Sequence, residues 1–177
     1  TTGKPAAAML PGISLYGGYS ALFLERDLTQ HETILEDTST TGGDIVEPNR
    51  AVDISGLPGG EVLNGFTIKP GASGGHNAGI YCNDSEGFEI SANNIIWRGG
   101  TDAYGIFSDF SSPEIRDNRI FKILDGSAAS TNTTCIYLVG KKDTAPVIEN
   151  NELWEGKGTD TVIGIDAEEV DSIIKEN

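Results

Sequence analysis

From Gly79 to Ile95 the chain reads GIYCNDSEGFEISANNI, two short alternations of apolar and polar side chains separated by a turn. The arrangement returns as GIFSDFSSPEIRDNRI at 105–120 and as CIYLVGKKDTAPVIENNEL at 135–153. Alternation with a period of two predicts half-buried strands, and the Gly, Asn, Asp, Ser and Pro residues between them predict turns. Aligned on the first alternation, Val52, Ile80, Ile106, Ile136 and Ile165 form one column; aligned on the second, Leu63, Ile90, Ile115, Ile148 and Ile174 form another. Three residues later come Phe66, Asn93, Asn118, Asn151 and Asn177, and two beyond those Ile68, Ile95, Ile120 and Leu153.

Four columns sharing one elastic period of 25–33 residues mark a solenoid whose unit cannot bury its apolar face alone. A propeller blade needs about 40–45 residues and longer hairpins, and a leucine-rich repeat needs its Leu consensus. Coils of a parallel β-helix satisfy the pattern: each buries its columns against the next, ~4.8 Å away. The chain is expected to be one all-β domain over residues 1–177, with N-terminal covering coils in 1–50 and regular coils in 51–177. In the first part Ile13 and Leu15 alternate and Thr33 to Leu35 is strand-like, while FLERDL reads as a helical turn or a loop. The sequence stops just after SIIKEN, with no polar capping unit, which predicts a piece of a longer chain. The asparagine column predicts a structural ladder of side-chain amides at a bend, where Asn also tolerates left-handed backbone.

Composition supports this picture. With 177 residues, 23 of them Gly and one Met, the chain suits a single strand-and-turn domain. Its net charge of -15 would repel phosphate backbones and anionic membranes, so nucleic acid is not an expected partner. No apolar run reaches the ~18 residues of a membrane span, and the first residues lack the charged start and apolar centre of a signal peptide. Cys82 and Cys135 fall two coils apart, ~10 Å against a disulfide Cα limit of ~7 Å, which predicts two free thiols.

GISLYGGYS at the start, followed by EVLNGFTI and then by repeated GIY…I.NN.I coils, resembles a group of bacterial secreted or cell-surface proteins with the pectate-lyase-like right-handed β-helix fold. The resemblance runs from Ile13 to Asn177. It implies a right-handed parallel β-helix and a secreted or surface location, and it says little about activity, because that fold hosts lyases, hydrolases, epimerases and adhesins alike. The Asn-x-Asp, Asp-Asp, Gly-His-Gly and Arg-x-Lys motifs of the polygalacturonase-like members are absent, RIFK at 119–122 has the wrong spacing, and the Asp-Pro-His motif of the epimerase-like members is missing.

Candidate chemistry is correspondingly diffuse. His31 and His76 have no nucleophile beside them in sequence, and His76 reads as a solvated histidine in the Gly-rich loop GASGGHNAG, which lacks a P-loop Lys-Ser/Thr. No Cys/His spacing suggests zinc, and Ca²⁺ is conceivable from the acidity alone without a ligand pattern to support it. Asp102, Asp109, Asp125 and Asp143 are expected in loops between the ladders, where carboxylates could meet across coils. One outward column is more specific. With Ile80 and Cys82 pointing in, Tyr81 points out, and its equivalents are Asp53, Phe107, Tyr137 and Asp166. Three exposed aromatics flanked by carboxylates suit pyranose rings, unless the loop at 125–134 or a neighbouring molecule covers them. A second outer or corner column, Lys69, Ile96, Phe121 and Trp154, follows the last apolar column; turns reset the alternation, so the pattern does not fix its side, and such residues more often finish the core. Sequons at Asn83 and Asn132 are short patterns of high chance frequency. The expectation is therefore a surface or secreted β-helix module that binds polysaccharide or cell-surface glycan, or mediates adhesion, through Tyr81, Phe107, Tyr137, Asp53 and Asp166. A polysaccharide lyase or glycoside hydrolase with a dispersed site is the first alternative, and a structural passenger or spacer the second.

Overall fold

A computed structural model describes residues 4–39, 43–71, 74–97, 101–122, 132–140, 144–154 and 161–177. The chain winds in successive triplets of strands. The first is β1 (Ala7–Ala8), β2 (Leu15–Tyr16) and β3 (Ile34–Glu36); the second β4 (Asn49–Ser55), β5 (Val62–Asn64) and β6 (Thr67–Lys69). Then come β7 (His76–Asn83), β8 (Glu86–Ser91) and β9 (Asn94–Trp97), followed by β10 (Asp102–Asp109), β11 (Ser112–Arg116) and β12 (Arg119–Lys122). Next are β13 (Asn132–Val139), β14 (Val147–Glu149) and β15 (Glu152–Trp154), and finally β16 (Thr161–Glu168) and β17 (Ile173–Lys175). Equivalent strands pair in parallel into two six-stranded sheets and one five-stranded sheet. The protein is a parallel β-solenoid, and no helix occurs among the described residues.

The register follows the repeat. Val52, Ile80, Ile106, Ile136 and Ile165 are successive partners in the first sheet, Leu15, Leu63, Ile90, Ile115, Ile148 and Ile174 in the second, and Leu35, Ile68, Ile95, Ile120 and Leu153 in the third. Between the ends these side chains are fully buried in one continuous cluster. Each stabilises the stack by roughly 1.5–3 kcal/mol relative to exposure, realised only when the next coil is in place.

The asparagine column does what a structural ladder requires. Asn118 Oδ1 accepts from the Asn93 backbone N–H at 3.0 Å and from Asn93 Nδ2 at 3.1 Å, while Asn118 Nδ2 donates to Ile90 O at 2.8 Å. Asn151 repeats the pattern on Asn118, and Asn177 repeats it on Asn151. At the other end the Phe66 N–H donates to Asn93 Oδ1. The left-handed residue is not the Asn but the one before it: Gly65, Ala92, Asp117, Asn150 and Glu176 all have φ between +51° and +82°.

Other expectations are met or change in detail. FLERDL forms no helix; it lies in a loop closed by an antiparallel bridge between Tyr19 and Arg26. Arg26 Nε donates to Gly17 O at 2.8 Å and its guanidinium lies over the rings of Tyr16 and Tyr19, so the SLYGGY segment has a packing role. The column expected to finish the core instead faces outward: exposure rises from Ile96 (8%) through half-buried Phe121 to Trp154 (58%), and the next residue on β9, Trp97, is the one that fills the core. Cys82 and Cys135 are both buried and unbonded, as their separation predicts. Cys135 stands at the position where neighbouring coils carry Gly79, Gly105 and Gly164.

Candidate functional site

That glycine position shapes the outer face of the first sheet. A Cβ on Gly79 would meet Ile95 Cγ2 at 2.7 Å, and one on Gly105 would collide with Ile120 Cγ2 and meet Cys135 O at 2.5 Å. The residue before each inward Ile therefore also turns toward the interior, and the alternation is reset. As a result Tyr104 and Phe107, three apart, share the outer face and pack with Ala78, Tyr81, Tyr137 and Val139 in a cluster separate from the core. Strict alternation back from Ile106 would have turned Tyr104 inward, which is why the sequence pattern misses it. The visible signal is the recurring Gly before the Ile.

The aromatic column exists, but it is not the exposed strip expected. Ring centroids are 5.4 Å apart for Tyr81 and Phe107, 5.1 Å for Phe107 and Tyr137, and 5.3 Å for Tyr104 and Tyr137, the last pair nearly parallel at 20°. Tyr81 and Phe107 are each only 4% exposed, whereas Tyr137 is half-buried. Their neighbours explain the covering. A strap at 43–48 bridges the start of β7 through Gly43 and His76, and the Tyr81 hydroxyl donates to Val46 O at 2.9 Å. Asp44 Oδ1 braces the strap by accepting from the Val46 and Glu47 N–H groups. The covering segment thus comes from before β4. Of the 125–134 loop, the alternative cover, residues 125–131 lie outside the described residues.

Two grooves flank the strap. The first, about 380 Å³, is lined by Val46, Glu47, Arg50, Tyr81, Asp109 and Phe110 among others. Here Arg50 Nε donates to Asp53 Oδ2 at 2.6 Å, and the guanidinium sits 5.3 Å over the Tyr81 ring. The second, about 260 Å³, is lined by Ile45, Asp102, Tyr104, Thr133, Thr134, Tyr137, Ile163, Asp166 and Glu168. Of the residues expected to bind, Asp53 and Tyr81 flank the first groove, Tyr137 and Asp166 line the second, and Phe107 is packed between them. Arg50, Tyr104 and Glu168 join the site without having been singled out by the pattern.

The electrostatics are acidic throughout. Burial, reinforced by Asp109, pushes the Tyr81 hydroxyl up to about 12, and burial with Asp102 does the same for Tyr104. Tyr137 is raised by burial and by the neighbouring Glu168. Burial raises the Asp109 carboxyl, opposed by the polar influence of the nearby Tyr81 hydroxyl.

Asp102 and Asp109 are not loop residues; they open and close β10. His76 likewise opens β7 rather than lying in a solvated loop, with Nδ1 3.0 Å from Asp102 Oδ2 but without hydrogen-bond alignment, so the contact is one of charge when the ring is protonated. Asp125 and Asp143 lie outside the described residues. Among the described residues no three His, Cys, Asp or Glu side chains converge to hold a metal ion, and no helix is long and apolar enough to cross a membrane. Comparison with protein-family models, curated proteins and solved structures returns no match. The fold and site define a parallel β-solenoid with an aromatic, acidic outer face.

Proposed function

We propose that this β-helix is a glycan-binding or adhesive module, secreted or displayed at a bacterial surface, and related to the pectate-lyase-like proteins that its SLYGGY and NGFTI segments resemble. The observation that carries the reading is the second groove: a half-buried Tyr137 ring, backed by Tyr104 and rimmed by Thr134, Asp166 and Glu168. An apolar ring face bordered by hydroxyls and carboxylates matches a pyranose, whose axial C–H face is apolar and whose rim is a ring of hydroxyls. Phe107 and then Tyr81 continue the column in the two preceding coils.

Retention on a panel of immobilised polysaccharides tests the reading, with the eluate assayed for reducing-end and unsaturated products. Wild-type protein is expected to be retained by at least one polysaccharide without forming products. Tyr137→Ala is expected to weaken that binding about threefold to tenfold, the loss of one stacking contact of ~0.5–1.5 kcal/mol. Retention that survives Tyr137→Ala unchanged rejects the groove. Products would favour the lyase or hydrolase reading, for which the raised Asp109 carboxyl beside Tyr81 is the residue to replace. Neither retention nor products would favour a spacer.

A further inference from the structure

The two ends of the aromatic column are built alike with two differences. Asp53 is the register partner of Tyr81 in the coil before it, and Asp166 is the register partner of Tyr137 in the coil after it. Each end therefore places a carboxylate beside the outer face of a tyrosine ring. At the Asp53 end a cation completes the arrangement, since the Arg50 guanidinium bonds Asp53 and lies over Tyr81. Arg50 belongs to a ladder that continues through Ala78, Tyr104, Thr134 and Ile163. At the Asp166 end that ladder supplies Ile163 where the other end supplies Arg50, and Glu168 adds a second carboxylate beside Tyr137. No Lys or Arg is among the described residues lining this groove.

We propose that the groove beside Tyr137 takes a sugar ring bearing an ammonium group, an amino-sugar unit, and turns away uronate rings. The inference rests on the glycan-binding reading and names the class of glycan. Tyr137 and Ile163 provide the apolar floor, and the ammonium occupies the place that the Arg50 guanidinium holds at the other end of the column, against Asp166 and Glu168. A cation over an aromatic face and beside a carboxylate gains from both the ring quadrupole and the charge. A uronate would bring a further like charge to a groove already lined by Asp102, Asp166 and Glu168, within a molecule whose net charge is -15. A bare metal ion is a poorer match, because the carboxylates here do not converge into a metal-holding cluster.

Calorimetric titration with three hexasaccharides decides the matter: glucosamine, N-acetylglucosamine and galacturonic acid oligomers, at a pH where the amine is protonated. The glucosamine oligomer is expected to bind about tenfold more tightly than its acetylated counterpart, with the advantage shrinking at high salt, and the galacturonate oligomer is expected not to bind. The double variant Asp166→Asn, Glu168→Gln, shown by circular dichroism to be folded, is expected to bring the first two affinities within about twofold of each other. Equal affinities in the wild type, or a preference for galacturonate, overturn the inference while leaving glycan binding in place. A glucosamine preference that survives the double variant assigns it to another part of the surface and overturns the site. Failure of the three oligomers, together with failure of the polysaccharide panel, removes the glycan-binding reading itself.

Discussion

Individual residues in this protein matter through what they repeat. Asn118 satisfies the Asn93 N–H and side-chain amide below it and reaches back to Ile90 O, while its own N–H is satisfied by Asn151. Replacing it by Ala strands a buried backbone donor, the Asn93 N–H, and a carbonyl, Ile90 O, in the coil below. Asn118→Ala is therefore expected to cost about 2–4 kcal/mol, read as a lower urea midpoint with little change in slope; a loss under ~0.5 kcal/mol would mean that water replaces the amide. The ladder was legible in sequence because amides repeat at the coil period. The residue carrying the left-handed bend was not, since Ala92, Asp117, Asn150 and Glu176 share that φ but no side-chain chemistry.

At the scale of elements, the outer face of the first sheet and the strap over it form the unit that matters. Alternation correctly places Tyr81, Phe107 and Tyr137 on one side of the sheet, because each follows an inward Ile. It does not indicate that residues 43–48 fold back to meet Tyr81, since that contact depends on where β4 enters the sheet. The strap leaves Asp109 partly buried near Tyr81, with its carboxyl raised by burial. A carboxyl whose folded pKa exceeds its unfolded value of ~3.9 binds its proton more readily when folded, so it lowers stability at neutral pH and ceases to do so as pH falls through the folded and then the unfolded value. Asp109→Asn is accordingly expected to unfold at higher urea than wild type at pH 7, with the two midpoints converging by about pH 3. A gain that persists undiminished at low pH would assign the effect to packing instead of charge.

At the scale of the whole molecule, the solenoid couples only neighbouring coils. Deleting residues 105–134 joins Tyr104 to Cys135, sets Ile136 next in register after Ile80, and brings Asn151 opposite Asn93, so every ladder closes over the gap. The shortened protein is expected to keep its strand-rich circular dichroism and to unfold cooperatively with a smaller urea slope, in proportion to the surface it no longer buries. A deletion product without structure would contradict nearest-neighbour coupling. The sequence by itself determined the solenoid, its inward columns, the amide ladder and the two unpaired thiols, because each depends on a period that the chain repeats and on spacing along it. Only the tertiary structure decided which outward rings are covered, that Tyr104 joins them, that His76 meets Asp102 from the next coil, and that Arg50 caps one end of the aromatic column while Ile163 leaves the other open. Those outcomes come from residues that do not repeat from coil to coil, and contacts among such residues carry no periodic signature along the chain.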